Sequence, residues 1–199
     1  HAAALLDSFL TQAQFHIRTQ VAQSESYYKS DAECHLHGPG QGTIFGPPVW
    51  LLVSTLILDL VPLRASPVQF YSPDGNTHLQ RFMDGFVDDT TGWTNDFLPS
   101  LQRGTSAQTI IAQLQTLAQW WEQLLTTTGG KLELSKCFFY VVQFDFNPDG
   151  IPHLRMTTDG GPSLRLTVRD SVTGKEVSIR HYPSSSPHKT LGVMLAPDL

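Results

Sequence analysis

The chain has 199 residues, of which 40% are hydrophobic and 16% are charged, values that fit a globular domain with a buried core. Its formal net charge is −5, whereas a self-sufficient nucleic-acid-binding domain usually carries a basic face. The two cysteines, Cys34 and Cys137, form no Cys-x-x-Cys pair. They predict free thiols in a reducing, intracellular compartment, nucleus or cytoplasm. No signal peptide is visible, and the longest apolar run, residues 49–61, is too short to span a bilayer, so we expect no membrane association.

Apolar residues recur at helical spacing in the first third of the chain. Residues 2–20 carry one apolar stripe, which predicts an amphipathic helix packed on a core. Residues 24–34 are polar and predict a loop. A second helix is expected over residues 48–61, because proline is tolerated in the first turn of a helix. This second segment is apolar nearly all round, which predicts that it is buried.

A third helix is predicted over residues 105–126. Its apolar residues recur at helical spacing, and Gly129 is well placed to end it. Within this helix Trp121 falls on the apolar stripe and is expected in the core. Only Trp120 is expected to face outwards, as a residue of a base-stacking platform would.

Strand patterns occupy the centre and the last third of the sequence. Residues 80–93 predict a tight hairpin, and residues 62–78 a connector that leads into it. Residues 138–146 predict one strand, because they are rich in aromatic and β-branched side chains. Residues 164–168 and 176–182 predict a second hairpin with one solvent-exposed face. Together with the helices, these patterns predict an α+β fold in which helices pack on one face of an antiparallel sheet built around the 80–93 hairpin.

Two adjacent acids, Asp88 and Asp89, are expected at the tip of the central hairpin. Carboxylates this close repel each other unless a cation lies between them. Mg²⁺ is a natural candidate, because it takes one or two carboxylates and completes its shell with phosphate oxygens. The alternative is an ordinary solvated turn, since aspartate is also favoured in turns for local reasons.

Four short motifs resemble the palm of reverse transcriptases of the non-LTR retroelement or a related type. Phe86-Val87-Asp88-Asp89 resembles their aromatic-x-Asp-Asp motif, and Gln41-Gly42, followed by a proline and an apolar helix, resembles their second palm motif. Lys136 follows a helix, a glycine and a short apolar segment, as in the fourth motif. Leu191-Gly192 resembles the fifth. The four motifs occur in the order that the family has, although residues 144–190 match no motif of it.

The resemblance implies an RNA-directed DNA polymerase that joins nucleotides by two-metal-ion chemistry. Its implied cofactor is Mg²⁺ or Mn²⁺, and its implied partners, met through the full-length protein, are an RNA template, a DNA primer and a deoxynucleoside triphosphate. Residues 1–143 would form the palm segment, and residues 144–199 a β-rich extension towards the thumb. The implied catalytic residues are Asp88 and Asp89, which also hold the metal, and Lys136, which helps to protonate or neutralise the departing pyrophosphate. The implied substrate-binding and template-binding residues are Gln41, Gly42, Phe86, Leu191 and Gly192.

The chain departs from the family pattern at two places. Gly46 stands before Pro47 where the family usually has serine, which removes a hydroxyl near the template or the nucleotide. The first palm motif, with its further aspartate, should precede the opening helix, and Asp7 is a poor substitute for that aspartate. We therefore expect His1 to lie inside a longer protein and the isolated segment to be inactive.

Two alternatives stay open on the sequence. A non-catalytic, palm-like module that binds nucleic acid or protein would fit the acidic charge and Gly46. An unrelated α/β domain with a coincidental Asp-Asp turn is the other. For Lys136 itself, the alternative to the catalytic role is a surface lysine.

Overall fold

The computed structural model describes residues 8, 12, 14–29, 46–86, 89–95, 107–155, 164–190 and 193–197. The chain divides into two compact units, His1–Thr55 and Leu56–Leu199. Among the described residues, two long helices, α1 (Gly46–Leu60) and α2 (Ala107–Thr127), and two 3₁₀ turns, Val61–Leu63 and Leu134–Lys136, combine with short strands into an α+β structure. The strands are β1 Phe15–Arg18, β2 Gln23–Tyr28, β3 Val68–Tyr71, β4 His78–Arg81, β5 Met83–Phe86, β6 Asp89–Gly92, β7 Phe138–Tyr140, β8 Phe144–Phe146, β9 Pro152–Leu154, β10 Leu166–Arg169, β11 Glu176–Tyr182, β12 His188–Thr190 and β13 Val193–Leu195.

The strands form several small sheets. Five are two-stranded and antiparallel: β1–β2, β3–β4, β5–β6, β8–β9 and β12–β13. The sixth has the order β10-β11-β7, with β10 antiparallel and β7 parallel to β11. The α+β class is therefore as predicted. The sheet differs from the prediction, because the described strands of the central hairpin pair with each other rather than at the middle of one larger antiparallel sheet.

The main hydrophobic core lies where α2 packs against the three-stranded sheet. Trp121, on the inner stripe of α2, is 3% exposed, as its spacing predicted. Gly129 ends this helix with φ at +80°, a left-handed conformation that glycine adopts without strain. The buried side chains of the core cluster are Ile111, Leu134, Phe139, Val141, Leu166, Val168 and Ile179.

Polar side chains of α2 also hold the edge strand β10. The Arg169 backbone N–H donates to Gln119 Oε1 (2.8 Å), and Gln119 Nε2 donates back to the Arg169 carbonyl (3.0 Å). One helical turn earlier, Gln115 Oε1 accepts from the Thr167 N–H at 3.4 Å. Four residues of helix rise about 6 Å and two residues of strand about 6.7 Å, so these pairs match in register. The glutamines thereby occupy backbone groups that an unpaired edge would leave open.

The buried carboxylate of Glu122 continues this polar contact to the turn after β10. Glu122 is 2% exposed. It accepts hydrogen bonds from the Ser171 backbone N–H (2.9 Å), from the Ser171 hydroxyl (2.5 Å) and from the Thr126 hydroxyl (3.0 Å). These donors satisfy a charge that would otherwise be costly to bury. α2 and the β10–β11 hairpin are therefore joined by polar as well as apolar contacts.

The helix predicted over residues 2–20 is wrong at its C-terminal end. Ser8 and Gln12 are helical, but Phe15–Arg18 is a strand that pairs with Gln23–Tyr28. The Thr19 hydroxyl accepts from the Ala22 N–H at 3.1 Å, which closes a turn in place of the helix. The polar loop predicted from residue 24 is likewise a strand as far as Tyr28.

Helix α1, Gly46–Leu60, lies within two residues of the predicted bounds 48–61 but does not have the predicted burial. Within it only Ile57 is buried, whereas Leu51, Leu52 and Leu56 are 67%, 63% and 59% exposed. Apolar composition favours burial of a helix but does not specify what covers it. By length and composition alone, residues 46–63 could cross a membrane, a property that buried core helices and signal sequences share.

Other strand predictions hold in part. The hairpin at 164–168 and 176–182 is confirmed as β10–β11. The single strand predicted over 138–146 is two strands, because β7 pairs with β11 and β8 pairs with β9. The predicted connector 62–78 contains β3 and the first residue of β4. The proposed boundary between residues 143 and 144 stays a prediction.

Candidate functional site

A central hairpin is confirmed, with β5 and β6 in antiparallel register, but it is shorter than the predicted 80–93 because residues 80 and 81 belong to β4, which pairs with β3. Met83 is paired with Gly92 at the base of the hairpin, and Phe86 is paired with Asp89 at its tip, next to the turn. The Phe86 side chain is 60% exposed, and Asp89 is exposed as well. Val87 and Asp88, which join the strands, lie outside the described residues. Phe86 and Asp89 are thus brought together as cross-strand partners.

Close packing fixes the base of the hairpin on α2. A Cβ atom added to Gly92 would lie 2.8 Å from Leu117 Cδ2, and Leu117 is 2% exposed. Just after the hairpin, the Thr94 hydroxyl donates to Gln113 Oε1 at 2.8 Å. Both contacts involve α2, so the helix that carries the core also sets the position of the hairpin.

Asp84, in the middle of β5, is held by neighbours on both sides. Its carboxylate accepts from Arg81 Nη2 at 2.5 Å and from Trp93 Nε1 at 3.1 Å. The Trp93 backbone N–H also donates to the Phe82 carbonyl at 2.8 Å. Sequence reasoning missed Asp84. The opposite charges of Arg81 and Asp84 three residues apart were the available signal.

The Asp89 carboxylate is differently placed from that of Asp84. Within the part of the chain that the structure describes, no hydrogen bond or ion pair involves it. An exposed carboxylate whose oxygens have no partner among the described residues is chemically suited to a hard divalent cation. No set of three metal-ligating side chains occurs among the described residues, so a metal centre here would need Asp88 and further ligands or waters.

Lys136 lies at the end of the second 3₁₀ turn, and its side chain is exposed. Its backbone N–H donates to the Glu133 carbonyl at 3.0 Å. The pKa of Glu133 is lowered, mainly by the Ser135 hydroxyl and also by the nearby charges of Lys136 and Lys131. Lys136 is therefore positioned by its own turn, and none of the contacts described above joins it to the hairpin.

The remaining predicted site residues lie outside the residues that the structure describes: Asp88, Gln41, Gly42, Leu191 and Gly192. Cys137 is a free thiol, as predicted, and burial raises its pKa.

Comparison with protein-family models, with curated proteins and with solved structures gave no match.

Proposed function

We propose that this chain is part of the palm of an RNA-directed DNA polymerase, with the β5–β6 hairpin as its metal-binding element. The observation that supports this most is the end of the hairpin. The exposed Phe86 faces Asp89 across the strands, as the aromatic-x-Asp-Asp resemblance implies. Asp88 precedes Asp89 in the sequence and would share the tip with it.

The hairpin offers two acidic side chains next to an aromatic surface. Asp88 and Asp89 would hold Mg²⁺ or Mn²⁺. Bound metal would supply activation of a primer hydroxyl and neutralisation of charge on a nucleoside triphosphate. The exposed ring of Phe86 would border the position of the primer end. The ammonium group of Lys136 would donate a proton to the departing pyrophosphate, the role that the family resemblance implies for it.

The attachment to α2 supports the same proposal. Metal ligands work best on elements that packing holds in place. Gly92 against Leu117 and Thr94 against Gln113 fix the base of the hairpin, while Phe86 and Asp89 at its other end are exposed. The Asp84 carboxylate already accepts hydrogen bonds from Arg81 and Trp93, so the proposal assigns metal binding to the tip.

Calorimetric titration with Mn²⁺ tests the proposal on this chain. We expect weak binding heat that Asp88→Ala abolishes, because the tip then keeps only one carboxylate. Asp149→Ala is the matched control, since Asp149 is an exposed aspartate in another hairpin turn, that of β8–β9. Heat that survives Asp88→Ala would contradict the proposed site. Equal loss in the control would do so as well.

A further inference from the structure

One side of helix α1 is apolar and exposed. Leu51, Leu52 and Leu56, which we call the leucine face, are each more than half exposed. A helix on the surface of a globular protein normally turns polar and charged side chains towards solvent. On α1 no charged residue occurs between Gly46 and Leu58, so the leucine face lacks the residues that would favour contact with water.

Both hydroxyl side chains of α1 are satisfied within the helix. The Thr55 hydroxyl donates to the Leu51 carbonyl at 2.7 Å, and the Ser54 hydroxyl donates to the same carbonyl at 3.1 Å. Serine and threonine that bond to the preceding turn in this way need no water. The leucine face is therefore bordered by hydroxyls whose donors are already used.

The first turn of α1 is suited to an apolar environment as well. The first four backbone N–H groups of an α-helix have no acceptor inside the helix, and exposing such groups to hydrocarbon is costly. Pro47 and Pro48 lie in this turn and have no N–H. Two of the donors that an apolar environment would leave without a partner are therefore absent.

These properties suit a lipid bilayer better than a protein partner. A protein interface forms about one hydrogen bond per 100–200 Å² and has a polar rim. The leucine face offers a partner neither a charge nor an unused hydroxyl donor. Hydrocarbon instead requires that polar groups be satisfied internally, a requirement that the two hydroxyls and the two prolines each meet in part.

The geometry of α1 allows insertion of one face without a span. Its fifteen residues rise about 22 Å, which is less than the roughly 30 Å of a bilayer core. On the other side of the helix and just after it, Ile57 and Val61 are buried in the protein. Asp59, near the C-terminal end, limits how deeply that end can enter, since a carboxylate is costly in hydrocarbon.

We propose that the leucine face of α1 docks this chain on the surface of a lipid bilayer. The three leucines enter the acyl region of one leaflet, with the N-terminal half of the helix deeper than Asp59. The proposal goes beyond the polymerase function and does not rest on it, because α1 carries no residue of the β5–β6 hairpin. The expectation of no membrane association rested on the length needed to span a bilayer, which insertion of one face does not require.

Flotation of the full chain with phosphatidylcholine vesicles tests the proposal. We expect half of the protein to float at a lipid concentration on the order of 0.1–1 mM, the range for a single acyl chain. Binding should change by less than about twofold between roughly 50 and 500 mM salt, because no cationic residue lies between Gly46 and Leu63 to attract headgroups.

Two variants of the leucine face test its role directly. Leu52→Glu and Leu56→Glu should each weaken vesicle binding by at least about tenfold, because each places a charge where the bilayer excludes it. Leu195→Glu is the matched control and should bind like the wild type, since Leu195 is an exposed leucine on β13. Circular dichroism checks that each variant is folded, and the misfolding of one α1 variant leaves the other to decide.

Three results would overturn the proposal. The first is no flotation of the wild-type chain at about 5 mM lipid, well above the range expected for one acyl chain. The second is an equal loss of binding in Leu195→Glu and in the two α1 variants. The third is a wild-type dimer, seen by sedimentation without vesicles, that Leu52→Glu dissociates, because this would assign the leucine face to a second copy of the chain.

Discussion

Gly92→Ala tests how α2 positions the candidate site. Contacting carbon atoms normally lie about 3.5–4.0 Å apart, whereas the added Cβ would lie 2.8 Å from Leu117 Cδ2. Leu117 is 2% exposed and packed on all sides, so relief requires a strained rotamer or a shift of the hairpin. Overpacking of this kind costs about 1–3 kcal/mol. At roughly 2–4 °C per kcal/mol for a chain of this size, the melting temperature should fall by about 2–12 °C.

Gly85→Ala is the matched control, because it makes the same change in the same hairpin. The nearest atom to a Cβ at Gly85 is Thr90 Cγ2 at 4.0 Å, an ordinary contact. We expect this variant to melt no lower than the wild-type chain, since alanine also restricts the unfolded state. Thermal unfolding followed by circular dichroism compares the two variants directly. Equal melting temperatures for Gly92→Ala and Gly85→Ala would refute the packing argument.

Three further predictions concern the supports of the fold. Hydrogen bonds from the Thr173 and Val172 N–H groups, with the charge of Lys131, lower the pKa of Asp170 in the folded state. Ionised Asp170 therefore stabilises the folded state fully above about pH 4, and this contribution is lost as the pH falls through the folded pKa. The urea midpoint of the wild-type chain should accordingly drop more between pH 6 and pH 3 than that of Asp170→Asn. Gln119→Met should cost about 1 kcal/mol in urea unfolding, because both backbone groups of one β10 residue lose their partner; an unchanged midpoint would contradict this. Asp84→Asn should lower the free energy of unfolding by less than about 1 kcal/mol in the same assay, because both side chains of the Arg81–Asp84 ion pair are well exposed. A larger loss would show that β5 depends on this ion pair.

The sequence predicted the elements whose signals are local and strong. Helix α2 has a long apolar period and a glycine stop at Gly129, and the β5–β6 hairpin has strand formers on both sides of a short turn. The prediction failed where a competing local interaction decides, as at Thr19, whose hydroxyl closes a turn inside an apparently helical stripe. It also failed for the burial of α1, because periodicity gives a helix its faces but not its neighbours.

The candidate site was predictable only in part, for the same reason. The pairing of Phe86 with Asp89 follows from a two-residue connection between strands, which is a local property. The packing of Gly92 on Leu117 joins residues 25 positions apart, and no spacing rule indicates it. No signal in the sequence indicated the contact of the Arg64 guanidinium with the Trp120 ring, at 4.3 Å from the ring centroid, although Trp120 was expected to face outwards.

The central claim is that the hairpin tip is the catalytic metal site of a polymerase palm. Primer extension on an RNA template tests it most directly, in a protein in which a strand bearing the first-motif aspartate precedes His1. We expect extension with Mg²⁺ that Asp88→Asn abolishes and that Asp149→Asn leaves unchanged, because the first substitution keeps the shape of the tip but removes a charge that holds the metal. Extension at the parent rate by the Asp88→Asn protein would contradict the claim.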